Sequence, residues 1–518
     1  MSAFDTASLL IPDVIAHHGR WRAGHAALIC GGERRSWAEF DAATNRIANG
    51  FAALGLARGA RLAVLMSNSI EMVELMFGAG KAGVSVVPIN VAVTDAAVAA
   101  MLEDSVVATV AATAQHCARI DVIAAARSGG TSWSRLGIDA PTGQGWIDLR
   151  TWRDGQSALR PSIKVAARDE CNIIYSSGTT GLPKGIVHSH ECRLNWATDC
   201  GMALRYHSGA VTICTIGLYS NIMWVTMLAT ILNGGTIVVL PAFSAEGLLS
   251  EIARHRVTHG ALVPVQLQRV VELPDLDTRE LNSLQTIMCC GSPLPPVTKR
   301  AARAALGCDL IELYGLTEGI VTTLAPEDFD RKLESVGKPL PGQQLEILTD
   351  DDRVAPWGEA GEIVGCGRLV MDGYHNRPEA TAEATWTDAG GRRWIRTGDI
   401  GRLDAEGFLT IVDRKKDMII SGGQNVFPAD IEMVMREHPD VADVAVIGVP
   451  SAKWGETPLA VVVLRGSASG DANELLGWTN ARVGKQQRIT SVVFRAALPR
   501  NPNGKVLKRE LRVEYLRV

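Results

Sequence analysis

Residues 175–185 read YSSGTTGLPKG, and the functional motifs of the chain are best understood outward from this stretch. Five of its residues carry a hydroxyl group, three are glycine and one is a lysine. Apolar runs at 172–175 and 185–187 flank it, which predicts two strands joined by a glycine-rich turn. Glycine lets the backbone approach an anion closely, and N–H groups, hydroxyls and an ammonium group together suit a polyphosphate. The stretch therefore predicts a phosphate-binding hairpin.

The hairpin does not have the pattern of a Walker A loop. That motif has a glycine directly before its lysine and a serine or threonine directly after it. Here Pro183 precedes Lys184, Gly185 follows it, and no helix start is evident. Taken alone, the stretch leaves open a flexible Ser/Thr/Gly connection without chemistry, and only further motifs distinguish the two interpretations.

Length and composition predict a large protein of at least two domains that acts on small molecules. The chain has 518 residues, of which 47% are hydrophobic and 21% are charged, and its formal net charge is -4. Nucleic-acid binding is not expected, because a strongly basic balance is absent. The ten cysteines show no CxxC pairing, so we expect reduced thiols and no cysteine metal site.

The N-terminus and the most apolar stretch both argue against export or membrane insertion. The first ten residues have neither a cationic start nor a long apolar core, so we expect no signal peptide. Residues 222–240 are the most apolar window, but Asn233 and two glycines interrupt it well before the roughly 20 apolar residues that a span requires. We therefore expect a cytoplasmic protein without a membrane span.

A helix, a glycine and a strand follow one another at two places in the chain. The first instance is a helix at 71–82 with a strand at 84–88, and the second is a helix at 224–232 with a strand at 237–241. Repeated α/β units predict two related, mostly parallel sheets flanked by helices. Residues 129–145 are rich in serine and glycine and are expected to form a surface excursion without chemistry.

Four further motifs carry groups that a nucleotide-using enzyme needs. Residues 314–318 (YGLTE) combine an aromatic ring, a hydroxyl and a carboxylate, which suits a base and the hard ion Mg2+. Residues 396–399 (RTGD) offer a carboxylate for a ribose diol. Residues 413–417 (DRKKD) are too charged for a core, and residues 499–505 (PRNPNGK) form a stiff loop that carries a lysine.

In this order, these motifs resemble those of the adenylate-forming superfamily, which includes acyl- and aryl-CoA synthetases, luciferases and the adenylation domains of peptide synthetases. The resemblance extends from about residue 20 to the end. It implies that the hairpin holds ATP phosphates through Ser176, Ser177, Gly178, Thr179, Thr180, Gly181 and Lys184. It implies that adenosine is bound by Gly291, Ser292, Pro293, Tyr314, Gly315, Asp399 and Arg414.

The same resemblance implies the catalytic residues and a mobile domain. Thr317 would contact the α-phosphate, Glu318 would bind Mg2+, and Lys505 would be the catalytic lysine. Lys416 would be the hinge between an N-terminal AMP-binding and acyl-binding domain, residues 1–413, and a mobile C-terminal domain, residues 414–518. The implied fold class is α/β, with helix-flanked mostly parallel sheets and a β-barrel-like subdomain in the large domain, followed by a small α+β domain.

The resemblance also implies a passage for a thiol and a pocket for an acid. The coenzyme A passage is assigned to Ser421, Gly422 and Gly423. The acyl pocket is assigned to Tyr219, Met223, Trp224, Val263, Cys289 and Cys290, although Met223 and Trp224 fit an apolar core equally well. At Ser220 the family commonly has a histidine, and amino-acid-activating members have an aspartate there, so Ser220 argues against an amino-acid substrate.

The expected function is an ATP-dependent acid:CoA ligase that uses Mg2+ and activates a hydrophobic aryl, arylalkanoic or medium-chain acid. A stand-alone enzyme that loads a carrier protein remains an alternative, although no carrier domain is expected within this chain. A luciferase-like oxygenase and a catalytically silent nucleotide-binding protein are further alternatives, and the charges at Glu318, Asp399 and Lys505 argue against a silent protein. Whether the protein forms a homodimer is left open.

Overall fold

The computed structural model describes residues 9–126, 133–140, 145–176, 183–421, 424–451, 453–466, 470–500 and 504–515. Its helices are, in chain order, α1 Ile11–Trp21, α2 Trp37–Ala53, α3 Ile70–Lys81, α4 Asp95–Asp104, α5 Ala114–Ala125, α6 Leu149–Asp154, α7 His190–Ala203, α8 Asn221–Asn233, α9 Ala245–His255, α10 Pro264–Val271, α11 Pro296–Leu306, α12 Pro378–Glu383, α13 Pro428–Arg436, α14 Ala472–Asn480 and α15 Lys508–Tyr515. In the described part of the chain, no helix combines the length and apolar character that a membrane crossing requires.

The strands are short, and in chain order they are β1 Ala26–Cys30, β2 Glu33–Ser36, β3 Arg61–Leu65, β4 Ser85–Pro88, β5 Thr109–Thr113, β6 Ser134–Ile138, β7 Trp146–Asp148, β8 Glu170–Ser176, β9 Lys184–Ser189, β10 Val211–Cys214, β11 Thr236–Val239, β12 His259–Leu262, β13 Thr286–Cys290, β14 Asp309–Gly315, β15 Val321–Leu324, β16 Lys338–Pro339, β17 Gln343–Leu348, β18 Gly361–Gly367, β19 Gly373–Tyr374, β20 Thr385–Thr387, β21 Arg393–Leu403, β22 Leu409–Arg414, β23 Ile419–Ser421, β24 Gln424–Val426, β25 Val441–Ser451, β26 Gly455–Leu464 and β27 Ser491–Phe494.

Short polar side chains start many of the helices. Ser36, Ser69 and Ser189 accept a backbone N–H from the first turn of α2, α3 and α7 respectively. Each such cap satisfies a donor that the helix itself leaves unpaired and contributes about 1 kcal/mol. Proline stands in the first turn of α10, α11, α12 and α13, where its missing N–H costs nothing. These local signals explain where the helices begin.

Two large sheets form the N-terminal part, as predicted. The nine-stranded sheet has the order β16-β15-β14-β13-β12-β10-β11-β1-β2, and the strands from β14 to β11 are parallel neighbours. The eight-stranded sheet has the order β19-β9-β8-β4-β3-β5-β6-β7 and is mostly parallel. Because parallel strands end on one edge, the segments after β10, β12, β13 and β14 meet at the same edge of the nine-stranded sheet.

The predicted hairpin is confirmed by β8 and β9. The two strands are antiparallel, with Ile174 opposite Ile186 and Ser176 opposite Lys184. Ile186 is fully buried and Ile174 nearly so, while Lys184 stands half-exposed at the open end of the pair. The pairing therefore holds Lys184 next to the turn that the sequence identified as the phosphate loop.

Two smaller sheets follow. A five-stranded sheet has the order β17-β18-β21-β20, with β22 beside β21. The C-terminal part contains a second five-stranded sheet of order β24-β23-β26-β25, with β27 beside β26, and the helices α13, α14 and α15 pack on it. This confirms a small α+β unit after the large α/β part.

The predicted surface excursion at 129–145 is wrong for its central part. Residues 134–138 form β6, which lies parallel to β5, and Leu136 and Ile138 are buried in the sheet. A five-residue strand between glycine- and serine-rich segments has too few apolar positions to stand out by periodicity. Residues 129–132 and 141–144 lie outside the described residues.

Candidate active site

Tyr314, Asp399 and Arg414 form the centre of the site. Tyr314 Oη donates a hydrogen bond to Asp399 Oδ2 over 2.8 Å, and Arg414 Nε lies 3.2 Å from Asp399 Oδ1. Asp399 and Arg414 face each other across β21 and β22, so the strand register itself brings them together. Asp399 is only 3% exposed. A carboxylate has about four lone-pair positions, so Asp399 retains acceptor capacity for a ribose diol.

Glu318 lies beside a second tyrosine and near the hairpin lysine. Tyr374 Oη donates to Glu318 Oε1 over 2.9 Å, and Lys184 Nζ lies 4.9 Å from the centre of the Tyr374 ring. Burial raises the pKa of Glu318, and the positive charges of Arg414 and Lys184 oppose that rise. The carboxyl group is thus desolvated and would gain from a cation.

The residues around Glu318 fit Mg2+ held mainly by substrate. In the described ranges no three metal-ligating side chains cluster together. Mg2+ commonly takes one or two protein carboxylates and fills its other positions with phosphate oxygens and water. A single desolvated carboxylate opposite the hairpin lysine fits that arrangement, with Glu318 as the protein ligand.

Thr317 is held from behind through its backbone. His188 Nε2 lies 2.8 Å from the Thr317 carbonyl oxygen, and Arg193 Nη2 lies 3.2 Å from His188 Nδ1. A carbonyl can only accept, so Nε2 carries the proton and Nδ1 accepts from the guanidinium. Burial, together with Arg193, lowers the pKa of His188 well below its ordinary value, which keeps the ring neutral.

Lys505 is brought to the same site by the C-terminal part of the chain. Gly504 before it has φ of +79°, and a Cβ there would lie 3.1 Å from Val265 of α10. A side chain at residue 504 would therefore hinder the close approach of this loop to the large domain. Burial, and after it the charge of Arg414, lower the pKa of Lys505 to about 7 against the opposing effect of Asp399. The structure thus brings Lys505, Arg414 and Asp399 together.

The lowered pKa of Lys505 predicts that docking of the C-terminal loop depends on pH. Undocked, the amine titrates near its ordinary 10.5, and docked, near 7. Between these values the undocked form binds more protons, so docking strengthens as pH rises from 7 towards 10.5 and is weakest below 7. We expect small-angle X-ray scattering of the nucleotide-free protein to show a smaller radius of gyration at pH 9 than at pH 7. A Lys505→Met variant with the same pH dependence would contradict this assignment.

The predicted hinge lies between two sets of contacts. Lys415 Nζ is 2.9 Å from Glu362 Oε2 in β18, on the N-terminal side. Arg512 of α15 donates to the backbone oxygens of Lys416 and Asp417, each over 3.2 Å, on the C-terminal side. Lys416 thus lies where the contacts of the chain change from the N-terminal part to the C-terminal part of the protein.

The predicted acyl-pocket residues are not all brought together. Met223, Trp224, Val263 and Cys290 belong to one buried cluster, whereas Cys289 points to the opposite face of β13 into another. Met223 and Trp224 are almost fully buried, as in a core. The half-exposed side chains at the start of α8 are those of Asn221 and Ile222, with Tyr219 just before them.

Some of the remaining predicted residues lie at the ends of strands, and others lie outside the described ranges. Gly291, Ser292 and Pro293 follow β13, and Gly315 ends β14, at the sheet edge described above. Ser176 and Ser421 end β8 and β23. The remaining loop positions lie outside the described residues; they are Ser177, Gly178, Thr179, Thr180, Gly181, Gly422 and Gly423.

Four residues of the site were missed from the sequence. Tyr374 holds Glu318, Thr397 Oγ1 accepts the Asp399 backbone N–H over 3.0 Å, and His188 and Arg193 support Thr317. Their positions offered a signal, because Thr397 stands two residues before Asp399 and His188 directly follows the hairpin apolar run. A lone tyrosine after Gly373 and an arginine inside a helix offered none.

The comparisons with known proteins agree with this geometry. The chain matches the AMP-binding enzyme family over residues 15–375 and the AMP-binding enzyme C-terminal domain over residues 430–505. It is 35% identical over 485 residues to a long-chain-fatty-acid–CoA ligase of Mycobacterium tuberculosis, covering 93% of each chain. It is 33% identical to a feruloyl-CoA synthase of an Amycolatopsis species, covering 94% of this chain and 95% of the other.

A solved structure of the same kind extends the likeness to three dimensions. ATP-bound MatB from Rhodopseudomonas palustris is similar with a TM-score of 0.89 at 29% identity, covering 98% of this chain and 99% of that one. Both the family matches and the relatives span nearly the whole chain. The chain therefore belongs to the AMP-binding enzyme family, within the adenylate-forming superfamily of acid:CoA ligases.

Proposed function

We propose that the protein is an ATP-dependent acid:CoA ligase for a hydrophobic carboxylic acid of the aryl, arylalkanoic or medium-chain class. The observation that carries this proposal is the convergence of charge around Arg414. The pKa of Lys505 and that of Glu318 are both shifted by Arg414, which also pairs with Asp399. In this proposal Asp399 would bind the ribose, Glu318 the metal and Lys505 the phosphates, and the proximity of all three to Arg414 supports adenylation at one place.

In the first step, a carboxylate oxygen of the acid attacks the α-phosphorus of ATP. The new bond joins that oxygen to phosphorus, the bond to the β-phosphate oxygen breaks, and pyrophosphate leaves. Two anions must meet, so catalysis depends on positioning and charge neutralisation, with no proton transfer needed. Lys505 and Lys184 supply positive charge, and Mg2+ on Glu318 would neutralise phosphate oxygens.

In the second step, the coenzyme A sulfur attacks the acyl carbon of the adenylate. A carbon–sulfur bond forms, AMP leaves with its phosphate oxygen, and the thiol proton is released to solvent. In this proposal Lys505 has no role in this step and must leave the site before the thiol enters. We propose that residues 414–518 rotate about Lys416 to withdraw Lys505, and that Ser421 with its two following glycines then lines the thiol passage.

The class of acid is proposed from the pocket and from the relatives. Ile222 and Tyr219 present partly accessible apolar surface, and the Val263 and Cys290 side chains behind them are buried and apolar. The names of the relatives cover a fatty acid and an aromatic acid, ferulate. An apolar pocket binds such chains in proportion to the area it buries, about 25 cal/mol per Å2.

The first test is pyrophosphate release with a panel of carboxylic acids, each with and without coenzyme A. We expect fast release only with hydrophobic acids and coenzyme A together, with accumulation of the acyl-CoA thioester. Small hydrophilic acids and amino acids are the matched controls and should give background rates. Release of pyrophosphate without consumption of coenzyme A would show that the acyl acceptor is not free coenzyme A and would favour a carrier protein. No release with any acid would refute the proposal.

A further inference from the structure

A buried arginine stands behind the proposed acid site without a counter-charge. Arg193 of α7 is 0% exposed. Its Nε donates to Asn172 Oδ1 over 2.9 Å, its Nη1 to Asn221 Oδ1 over 2.8 Å, and its Nη2 to His188 Nδ1. All three acceptors are neutral. In the described ranges no carboxylate lies within ion-pair distance of this guanidinium.

The missing counter-charge is unusual for this protein. Elsewhere the chain pairs its buried charges, as Glu74 with Arg35 and Arg153, and Lys299 with Glu312. Burying a charged group without an opposite charge costs several kcal/mol, so such groups are rare unless function retains them. Burial lowers the pKa of Arg193 to about 10, which still leaves the group charged at neutral pH.

The surroundings of Arg193 also contain more donors than acceptors. The Nδ2 of Asn172 and the Nε1 of Trp224 are both buried without a hydrogen-bond partner. The rings of Trp196 and Trp224, 5.8 and 5.2 Å from the guanidinium carbon, offset part of the charge, and a buried region with surplus donors would still gain from an anion at its open side.

Asn221 connects this buried charge to the open edge of the sheet. Because its Oδ1 accepts from Arg193, its amide orientation is fixed and Nδ2 is directed away from the guanidinium. Asn221 is half-exposed in the first turn of α8, and α8 follows β10 at the edge where Val263, Gly291 and Thr317 also lie. The start of a helix carries partial positive charge, which adds to that of Arg193.

The neighbouring serine is already engaged. Ser220 is nearly buried, and its Oγ accepts the backbone N–H of Ile222 as the cap of α8. Asn221 is therefore the polar side chain that this turn presents to the site. His188 hydrogen-bonds Arg193 through one ring nitrogen and the Thr317 carbonyl through the other. The positive charge of Arg193 therefore also lies behind Thr317.

We propose that the Nδ2 of Asn221 donates a hydrogen bond to the reacting carboxylate of the acid, with Arg193 as the positioning residue that orients the amide and supplies the balancing positive charge. This inference rests on the proposed function and adds the recognition of the carboxylate group to it. It also assigns to Asn221 and Arg193 the recognition of the carboxylate near Ser220, which carries no charge.

The test compares thermal stability with acid-dependent pyrophosphate release in two variants of one residue. Asn221→Asp places a carboxylate against Arg193, so its melting temperature should rise, while kcat/KM for the acid should fall about 100-fold because two carboxylates then repel each other. Asn221→Leu removes the donor without adding charge, so KM for the acid should rise about 10-fold. KM for ATP should stay within about twofold in both.

Asn233→Asp, the same substitution at the far end of α8, is the matched control and should leave KM for the acid unchanged. Wild-type protein that adenylates no acid would refute the proposed function and this inference together. If the wild type adenylates acids and Asn221→Asp leaves kcat/KM unchanged, the inference alone is refuted. A lowered melting temperature in Asn221→Asp would refute it too, because a new carboxylate should stabilise an arginine that lacks a counter-charge. A rise in KM for the acid in Arg193→Lys without a rise in KM for ATP supports the positioning role, and unchanged kinetics in that variant overturns it.

Discussion

Replacing Lys505 with alanine is expected to lower the rate of adenylation about 100- to 1,000-fold. Lys505 lies with Arg414 and Asp399, and in the proposed mechanism its amine is the positive charge that the C-terminal part brings to the nucleotide. Its charge should act only while the carboxylate and the phosphate approach each other. Formation of the thioester from chemically prepared acyl-adenylate should therefore change little. The two half reactions are measured separately, by pyrophosphate release and by consumption of coenzyme A.

Lys485→Ala is the control for this prediction, because Lys485 is an exposed lysine in the same C-terminal part. It should leave both half reactions unchanged. An equal loss of both half reactions in Lys505→Ala would contradict the assignment, since it would mean that Lys505 serves both steps or supports the fold. A melting temperature close to that of the wild type excludes the second explanation.

Replacing Asp399 with asparagine should weaken ATP binding about 100-fold. The nearly buried carboxylate accepts from Tyr314 and pairs with Arg414. The asparagine keeps the shape but removes the charge, so the ribose hydroxyls lose a charged acceptor, and hydrogen bonds to charged groups contribute about 1.5–3 kcal/mol. Isothermal titration with a non-hydrolysable ATP analogue measures the loss directly. KM for the acid, at saturating ATP, should be unaffected.

Tyr314→Phe provides the graded comparison. It removes one hydrogen bond to Asp399 but keeps the ring that is proposed to stack on adenine, so we expect a loss of about 5- to 10-fold. Tyr314→Leu removes the ring as well and should lose more. Unchanged ATP affinity in Asp399→Asn would show that the nucleotide binds elsewhere in the protein.

The sequence predicted the parts of the site that depend on contiguous residues. The hairpin of β8 and β9 needs only apolar flanks and a glycine-rich turn, and Tyr314, Thr317 and Glu318 follow one strand. Asp399 and Arg414 were also found, because each belongs to a short charged or glycine-containing motif. In all these cases the signal lies within a few neighbouring positions.

The support for Thr317 could not be predicted in the same way. Arg193 sits inside α7 and meets side chains from β8, β9 and α8, and these elements are distant in sequence. An arginine in a helix is ordinarily solvated, so its residue type pointed to the surface. Only the packing of four elements turns it into a buried charge.

The cysteine pair shows a different kind of error. Cys289 and Cys290 were assigned to one pocket, yet successive residues of a strand point to opposite faces. The apolar run before Gly291 is consistent with a strand, and a strand would have separated the two cysteines. The same rule keeps Cys290 with Met223 and Val263 and places Cys289 on the side of Lys299 and Glu312.

The contacts on both sides of Lys416 have a mechanical consequence. The Lys415 side chain contacts Glu362 and the Lys416 backbone contacts Arg512, so the contacts change sides between two adjacent residues. If Lys416 is the hinge that we propose, rotation there depends on the length of the chain at this point. One glycine inserted after Lys416 would lengthen the linker by about 3.5 Å. The C-terminal part would then be held less closely against the large domain, although every contact residue would still be present. We therefore expect the length of this linker to matter for the proposed reaction as much as the identity of Lys416.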